Sequence, residues 1–239
     1  MSTGPDAPRI SVVVIARERE ECAGIERALA RQSYRDFEIV TEIGGTIPEA
    51  WNRAISRARG QFLIFTETDA RPLDDDWLQQ LLDEMTGDAA MVKGLEINQT
   101  PWNLCNTIVR REVFDGIEFD ESFLCAEDTE LFSRLQSQGF RLEKKPVAPV
   151  MHSFDPSSPK ALSRAFRYGV NWMRIRHRYR EPVEPVPFSW LFRRLMITIL
   201  QILGMIAGWF LVFSERSLRR SRAIKGERTH SGLTTRTPR

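Results

Sequence analysis

Residues 61–77, QFLIFTETDARPLDDDW, decide the fold of this chain. The apolar run at 62–65 predicts a short strand buried on both faces of a parallel sheet. Glu67 and Asp69 follow it, and extended backbone would turn both side chains to the same side. Carboxylates at the carboxyl end of such a strand stand where open α/β sheets bind ligands, and hard oxygen ligands suit Mg²⁺ or Mn²⁺. A solvated acidic turn is the alternative that this segment alone leaves open.

Strands and helices alternate around this stretch. Runs rich in apolar and β-branched residues at 10–15 and 37–40 predict two earlier strands. Helical spacing of apolar residues predicts one helix between them, a second that begins near Pro48 and ends at Gly60, and a third after the aspartates at 74–76. The order β-α-β-α-β-α predicts an α/β fold, with a mostly parallel sheet flanked by helices and right-handed crossovers.

The pattern weakens between residues 91 and 152. Short strands are predicted at 91–95 and 106–109, and an edge strand at 141–145. A helix is predicted from the acidic cluster Glu127, Asp128 and Glu130 up to Gly139. Acidic side chains in a first helical turn oppose the positive end of the helix dipole, which is a sufficient structural reason for them.

Charge is distributed unevenly along the chain. Residues 1–159 contain 17 basic and 28 acidic side chains, whereas residues 160–239 contain 17 basic and 4 acidic ones. The basic part predicts an anionic partner, either a membrane surface or a nucleic acid. Three cysteines without metal-ligand spacing indicate a reducing, cytosolic setting, and no apolar run opens the chain as a cleavable signal peptide would.

The basic part of the chain favours a membrane. Residues 160–180 predict a basic amphipathic helix, 181–187 a Pro-rich linker, and the uncharged run 195–213 falls within the span length of about 17–25 residues. Arginines flank this run on both sides, so spanning, lying in the interface and burial in a soluble core all stay open. An uncharged run does not suit a nucleic-acid groove, so no nucleic-acid partner is expected.

Seven pieces of the sequence, taken together, resemble the family 2 glycosyltransferases of the GT-A fold. They are 13–18 (VVIARE), 51–54 (WNRA), 58–60 (ARG), 65–72 (FTETDARP), 119–121 (FDE), 127–131 (EDTEL) and 150–152 (VMH). Their order and spacing across residues 10–155 are more specific than any one of them. The resemblance implies a Rossmann-like GT-A domain, and the basic and uncharged segments that follow it predict a membrane-associating helical tail. The expected boundaries are a disordered start (1–9), the catalytic domain (10–158), a basic helix and linker (159–187), a hydrophobic membrane-associated helix (188–222) and a disordered basic tail (223–239).

The resemblance implies transfer of a sugar from a nucleotide-diphosphate donor to a hydroxyl or phosphate acceptor. A divalent cation, Mg²⁺ or Mn²⁺, would balance the negative charge that grows on the departing diphosphate. Asp69 would ligate the metal, and Glu67 would contact it through water or contact the donor ribose. His152 would complete the metal site, although a lone histidine in a loop is more often only structural.

Two further roles follow from the same resemblance. Asp128 would be the general base that deprotonates the acceptor, with Glu127 as the second choice. Transfer would invert the anomeric carbon in one in-line displacement, without a covalent intermediate.

The resemblance implies that six residues contact the nucleotide. The sequence also departs from the family pattern at two positions. The residues are Ala16, Arg17, Glu18, Glu42, Asn52 and Arg53, with a solvated helix face as the alternative for the two arginines. Glu42 alone stands where the family has paired aspartates followed by Gly and Ser, which leaves the donor base open. Glu67 replaces the first aspartate of the family's Asp-x-Asp motif.

Membrane attachment makes a lipid-linked or saccharide acceptor the expected partner, at the cytoplasmic face of the cell membrane. A homo-oligomer stays open. Two alternatives remain: a catalytically degenerate GT-A module at the membrane, and a related nucleotidyltransferase. The latter would need a Gly-rich basic loop after the first strand, where this chain has no glycine before Gly24.

Overall fold

The computed structural model describes residues 7–97, 103–152, 167–171, 174–175, 177–179 and 195. The chain divides into two compact units, residues 1–184 and 185–239, and Leu195 is the described residue of the second unit. The predicted uncharged run, the predicted Pro-rich linker and both predicted disordered ends lie almost wholly outside the described residues. No helix formed by the described part of the chain is both long enough and apolar enough to cross a membrane.

Strands and helices alternate as predicted through the first unit. The elements in chain order are β1 (Ile10–Ala16), α1 (Ala23–Arg31), β2 (Phe37–Ile43), α2 (Ile47–Arg57), β3 (Phe62–Glu67), β4 (Ala70–Pro72), α3 (Trp77–Asp83), β5 (Ala89–Lys93), β6 (Thr107–Arg110), α4 (Glu127–Ser137), β7 (Arg141–Lys144) and β8 (Val150–His152). Short 3₁₀ turns lie at Arg19–Cys22 and Arg111–Phe114. Strand β2 runs three residues beyond the predicted end at Val40.

Six strands form the main sheet in the order β2-β1-β3-β6-β5-β7. Strand β6 pairs antiparallel with both neighbours, and the other five strands run in one direction. The mostly parallel sheet is therefore confirmed, as is the edge position of β7. The reversal of β6 was not predicted from the sequence. Strands β4 and β8 form a separate antiparallel ribbon beyond the end of β3.

Helices cover both faces of the sheet. On one face α2 and α4 pack over Trp51, Phe65 and Leu131, with Trp51 edge-on to Phe65 at 5.3 Å between ring centroids. On the other face α1 and α3 bury Trp77 and Ile25. Residues 62–65 of β3 are at most 2% exposed, which confirms the predicted central strand.

The structure corrects the role predicted for Gly60. Helix α2 ends at Arg57, so Gly60 is not its cap. Gly60 instead lies against the start of β1, where a Cβ would stand 2.4 Å from the backbone nitrogen of Ser11 and 2.6 Å from the carbonyl carbon of Ile10. Only a residue without a side chain allows this approach.

Candidate active site

Three of the predicted site residues meet beyond the carboxyl end of β3. Glu67 ends this strand, and Asp69 lies in the turn that leads to β4. Pairing of β4 with β8 sets Ala70 opposite His152. As a result, the Nε2 atom of His152 lies 3.2 Å from Asp69 Oδ1 and 3.6 Å from Glu67 Oε2. The turn replaces the extended geometry predicted for the two carboxylates, yet both still reach the same nitrogen.

A fourth residue, Glu96, fixes the orientation of His152. Its Oε2 atom lies 3.1 Å from His152 Nδ1, so Nε2 is the nitrogen that faces the other two carboxylates. Burial alone would raise the pKa of Glu96, but bonds with His152 and the buried Lys93 hold it below its ordinary value. When one ring nitrogen of a histidine binds a metal, the other commonly donates its N–H to such a carboxylate.

The Glu96 carboxylate is part of a closed network. Lys93 Nζ donates to Glu96 Oε1, to Asn103 Oδ1 at 2.7 Å and to the Cys105 carbonyl at 2.7 Å. Asn103 donates back to Glu96 Oε2 at 3.0 Å. The Lys93 and Glu96 side chains are 5% and 1% exposed, and both were missed from the sequence. The signal available in the sequence was a pair of opposite charges, Lys93 and Glu96, at the end of an otherwise apolar strand.

These residues fit a divalent cation. Burial would lower the pKa of His152, but the surrounding carboxylates of Asp69, Glu67 and Glu96 raise it above its ordinary value. A cation bound at Nε2 would take the place of the proton that these carboxylates favour, because metal ligation requires neutral imidazole. Two carboxylates and one oriented imidazole nitrogen are an acceptable donor set for Mg²⁺ or Mn²⁺.

The Cys105 thiol lies in the same cluster. Its Sγ atom, a ring nitrogen of His152 and a carboxylate oxygen of Glu67 all lie within 4.8 Å of one another. Burial, with the charges of Glu67 and Glu96, raises the pKa of the thiol well above its ordinary value. No role was predicted for this cysteine from the sequence.

The predicted base, Asp128, is the second residue of helix α4. Helix α4 starts at Glu127 after Ala126, whose φ of 63° is in the left-handed region. Such a conformation costs a residue with a Cβ about 1–2 kcal/mol, and backbone strain of this kind is common at functional sites. The first helical turn that was predicted for Glu127 and Asp128 is thereby confirmed, and both side chains are buried.

Electrostatics connect Asp128 with the cluster of Glu67, Asp69 and His152, the candidate metal-binding cluster. Burial raises the pKa of Asp128 to about 6, the Thr129 backbone N–H at 2.6 Å opposes this shift, and the charge of Glu67 reinforces it. Asp128 therefore lies within the field of Glu67. A carboxylate whose pKa is raised toward neutrality is a stronger base than an ordinary aspartate and still ionised at pH 7.

A segment from the basic part of the chain packs beside Asp128. This Tyr168 segment comprises the described residues 167–171, 174–175 and 177–179, and most of its backbone is helical. Asn171 donates to the Cys125 carbonyl at 2.7 Å, Tyr179 donates to Glu130 at 2.5 Å, and Ile175 packs on Phe123 and Ala126.

Two arginines predicted to face a membrane hold the Tyr168 segment in place. Arg174 donates to the Ser122 carbonyl at 3.3 Å and lies 4.2 Å above the Phe123 ring. Arg178 donates to Asp120 at 2.8 Å. These two side chains therefore bind the loop that precedes helix α4, whose first turn contains the predicted base.

Tyr168 itself lies close to the base. The charge of Asp128 is the main reason that the pKa of Tyr168 is well above its ordinary value, followed by burial and the charge of Glu127. The residue is still 41% exposed, so it borders both the base and solvent. Its phenol stays protonated and can donate a hydrogen bond. Sequence analysis missed it because Tyr168 does not belong to the apolar face of the predicted helix.

The predicted nucleotide residues divide into two groups. Ala16 is the last residue of β1, and Arg17 and Glu18 follow it; at this end of the strand, pairing sets Ile15 beside Glu67 on one side and Glu42 on the other. Arg17 and Glu18 are exposed and border the same edge of the sheet as the metal-binding cluster. Their contact with a nucleotide stays a prediction.

The other three are engaged within the protein. Glu42 binds Arg53 at 2.8 Å and Arg57 at 2.5 Å. Asn52 donates to the Phe119 carbonyl and accepts from its N–H, at 3.0 and 2.8 Å, and so ties α2 to the segment that leads to α4. These contacts provide a structural reason for residues that the resemblance assigns to the nucleotide.

Comparison with known proteins identifies the fold. No protein-family model matches the sequence, and no curated protein does. A solved mannosyltransferase from Pyrobaculum calidifontis, in complex with GDP-Man and Mn²⁺, aligns with a TM-score of 0.60 and 14% identity over 76% of this chain and 67% of that one. Glucosyl-3-phosphoglycerate synthase from Mycobacterium tuberculosis, in complex with Mn²⁺, UDP and phosphoglyceric acid, aligns at 0.56 and 12% identity over 70% and 78%.

The chain has the GT-A fold. Residues 1–349 of TarS from S. aureus, in complex with UDP-GlcNAc, share it with a TM-score of 0.52 at 14% identity. The alignment covers 65% of this chain and 61% of TarS 1–349. In the GT-A fold of this chain, the Glu67, Asp69 and His152 cluster lies at the carboxyl edge of the sheet, where α/β sheets bind their ligands.

Proposed function

We propose that this chain transfers a sugar from a nucleotide-diphosphate donor to an acceptor, with the help of Mg²⁺ or Mn²⁺ and with inversion at the anomeric carbon. The observation that carries the proposal is the convergence of Glu67 and Asp69 on His152 Nε2 at the carboxyl edge of a GT-A sheet. Three solved structures of this fold contain UDP or a nucleotide sugar, and two of them contain Mn²⁺ as well.

Asp69, Glu67 and His152 would hold the cation. When bound, the cation supplies positive charge that balances the diphosphate as it leaves. Glu67 replaces the aspartate of the family motif, and the extra methylene does not prevent its carboxylate from reaching within 3.6 Å of His152. Glu96 keeps the His152 ring in the orientation that directs Nε2 at this site.

Asp128 would act as the general base. As the acceptor oxygen bonds to the anomeric carbon, the bond from that carbon to the diphosphate breaks, and the acceptor proton moves to Asp128. The Thr129 N–H holds Oδ1 at 2.6 Å, which leaves Oδ2 to take the proton. A single displacement of this kind inverts the anomeric carbon.

The acceptor would enter between Asp128 and the Tyr168 segment. Tyr168 borders both the base and solvent, and its protonated phenol can donate a hydrogen bond to an acceptor oxygen. Arg167 and His177 are exposed on the same segment and suit an anionic group. We therefore favour a lipid-linked acceptor over a soluble saccharide, with the chain held at the cytoplasmic face of the cell membrane through residues 188–222.

Donor binding provides the test. Purified protein in detergent is titrated calorimetrically with UDP-, GDP- and dTDP-sugars in Mn²⁺ or Mg²⁺, and slow donor hydrolysis is measured in parallel. We expect metal-dependent binding of one donor class, lost in Asp69→Ala and kept in Asp83→Ala, which removes an exposed carboxylate from α3.

Failure of every donor to bind folded protein would contradict the proposal. It would favour the catalytically degenerate GT-A module. Donor binding that does not depend on metal, and that survives Asp69→Ala, would instead show that the carboxylate cluster serves another purpose.

A further inference from the structure

Cys105 is a potential metal ligand that the proposed sugar transfer does not use. Its Sγ atom, a carboxylate oxygen of Glu67 and a ring nitrogen of His152 lie within 4.8 Å of one another. The cysteine is 1% exposed, so its thiol faces the cluster from inside the protein.

The fold fixes Cys105 at this position. Strands β3 and β6 pair antiparallel with Phe65 opposite Thr107, so Glu67, two residues after Phe65, and Cys105, two residues before Thr107, leave the pair at the same end. Lys93 Nζ donates to the Cys105 carbonyl at 2.7 Å, and the Thr107 hydroxyl donates to it at 3.3 Å. The thiol is therefore presented by an anchored backbone.

The three donor atoms differ from those that Mg²⁺ and Mn²⁺ prefer. These ions favour oxygen ligands, whereas a thiolate sulfur selects Zn²⁺ and similar ions. Zn²⁺ binds Cys, His and carboxylate ligands tetrahedrally at about 2.0–2.3 Å, which separates the ligand atoms by about 3.3–3.6 Å. Side-chain shifts of about an ångström would bring the three atoms from within 4.8 Å to that spacing.

A cation bound through Cys105 and a second cation bound through Asp69 cannot occupy the cluster at the same time. Glu96 lies 3.1 Å from Nδ1 of His152, so Nε2 is the ring atom that can ligate a metal. Nε2 also lies 3.2 Å from Asp69 Oδ1. One nitrogen lone pair binds one ion, so the two ligand sets compete for the same imidazole.

We propose that Cys105, Glu67 and His152 form a binding site for Zn²⁺ or a similar thiol-preferring cation that competes with Mg²⁺ or Mn²⁺. Only the inhibitory consequence, loss of sugar transfer when Zn²⁺ is bound, rests on the function proposed above. Metal binding itself can be tested without a donor or an acceptor.

Cobalt spectroscopy tests the sulfur ligand directly. Tag-free full-length protein is titrated with Co²⁺, and the sulfur-to-Co²⁺ charge-transfer band in the near ultraviolet is recorded. We expect the band in the wild type and its loss in Cys105→Ser. Cys22→Ser is the matched control, since Cys22 is an equally buried free cysteine in another part of the chain and should keep the band.

Affinities provide the second measurement. Loss of a side chain that hydrogen-bonds to a metal ligand lowers metal affinity about 10–100-fold. Loss of a ligand itself should cost no less, so Cys105→Ser should weaken Zn²⁺ binding at least tenfold. Mn²⁺ affinity should change less than about threefold, because sulfur does not take part in its site. Zn²⁺ should also displace Mn²⁺ from the wild type, measured as release of free Mn²⁺ by electron paramagnetic resonance.

Three results would overturn the inference. They are absence of the charge-transfer band in the wild type, its persistence in Cys105→Ser, and an equal loss of Zn²⁺ and Mn²⁺ affinity in that variant. Failure of the sugar-transfer proposal would show in the donor titrations and would leave the cobalt band intact, so the two proposals fail separately.

Discussion

Removal of the Lys93–Glu96 pair separates its structural role from its role in metal binding. The side chains are 5% and 1% exposed, and Glu96 also accepts from Asn103 and lies 3.1 Å from His152 Nδ1. In Glu96→Gln the charge of Lys93 stays buried without its counter-ion. Loss of one partner of a buried pair costs about 3–5 kcal/mol in the free energy of unfolding. We expect about 3 kcal/mol here, because Lys93 keeps the Asn103 and Cys105 oxygens as acceptors.

The double variant Lys93→Met/Glu96→Leu should behave differently. Replacement of a buried ion pair by apolar residues of similar volume is often neutral or stabilising. The Cys105 carbonyl loses one donor and the half-buried Asn103 side chain loses its bonds to Lys93 and Glu96, at a cost of about 1 kcal/mol for each of the two residues. We therefore expect a free energy of unfolding within about 2 kcal/mol of the wild type.

Metal affinity should fall in the single and the double variant alike. In both variants the Nδ1 atom of His152 no longer has a carboxylate as hydrogen-bond partner. Loss of such a partner lowers metal affinity about 10–100-fold. That range corresponds to about 1.4–2.8 kcal/mol of binding free energy. Urea unfolding gives the stability, and electron paramagnetic resonance of free Mn²⁺ gives the affinity.

Glu143→Gln is the matched control for both variants. Glu143 lies on the edge strand β7 and forms partly exposed ion pairs with Arg141 and Lys145 at 2.6 and 3.0 Å. Such pairs contribute at most about 1 kcal/mol, and this one does not contact the metal-binding cluster. If the stable double variant bound Mn²⁺ as tightly as the wild type, the argument that Glu96 orients His152 would be wrong.

Two further predictions concern Asp128 and Gly60. With the pKa of Asp128 raised to about 6, sugar transfer measured across pH should fall as the pH drops through about 6. Asp128→Asn should abolish transfer and leave donor binding intact; equal loss of both would contradict its role as base. A raised carboxyl pKa means that folding favours the protonated form of Asp128, so the charged carboxylate destabilises the fold above about pH 6. Asp128→Asn removes this charge. In metal-free buffer it should therefore raise the free energy of unfolding at pH 7 by about 1–3 kcal/mol. Gly60→Ala should lower the free energy of unfolding, measured in urea, by about 3 kcal/mol or more, because its Cβ would lie 2.4 Å from the Ser11 backbone nitrogen. The control is Gly24→Ala in α1, which should be neutral or stabilising because the nearest atom to its Cβ is 3.9 Å away. Similar effects of the two substitutions would contradict the close approach at Gly60.

The amino-acid sequence determined the elements that depend on local pattern. The apolar run at 62–65 became the buried strand β3, and helical spacing after residue 127 became α4 with its acidic first turn. The same local pattern placed Asp69 just beyond the end of β3 and Asp128 in the first turn of α4. Periodicity and composition contain this information because they depend on neighbours a few residues apart.

The tertiary structure decided which distant residues share a site. His152 reaches Asp69 because β8 pairs with β4, Cys105 reaches Glu67 because β6 runs antiparallel to β3, and Tyr168 reaches Asp128 because its segment packs on the loop before α4. Strand pairing and packing follow from hydrogen bonds and burial summed over the whole sheet, and no short stretch of sequence specifies them. The Lys93–Glu96 pair could not be predicted for the same reason. A local pattern predicts that charged residues are exposed, whereas this pair is buried and is stabilised there by the hydrogen bonds around it.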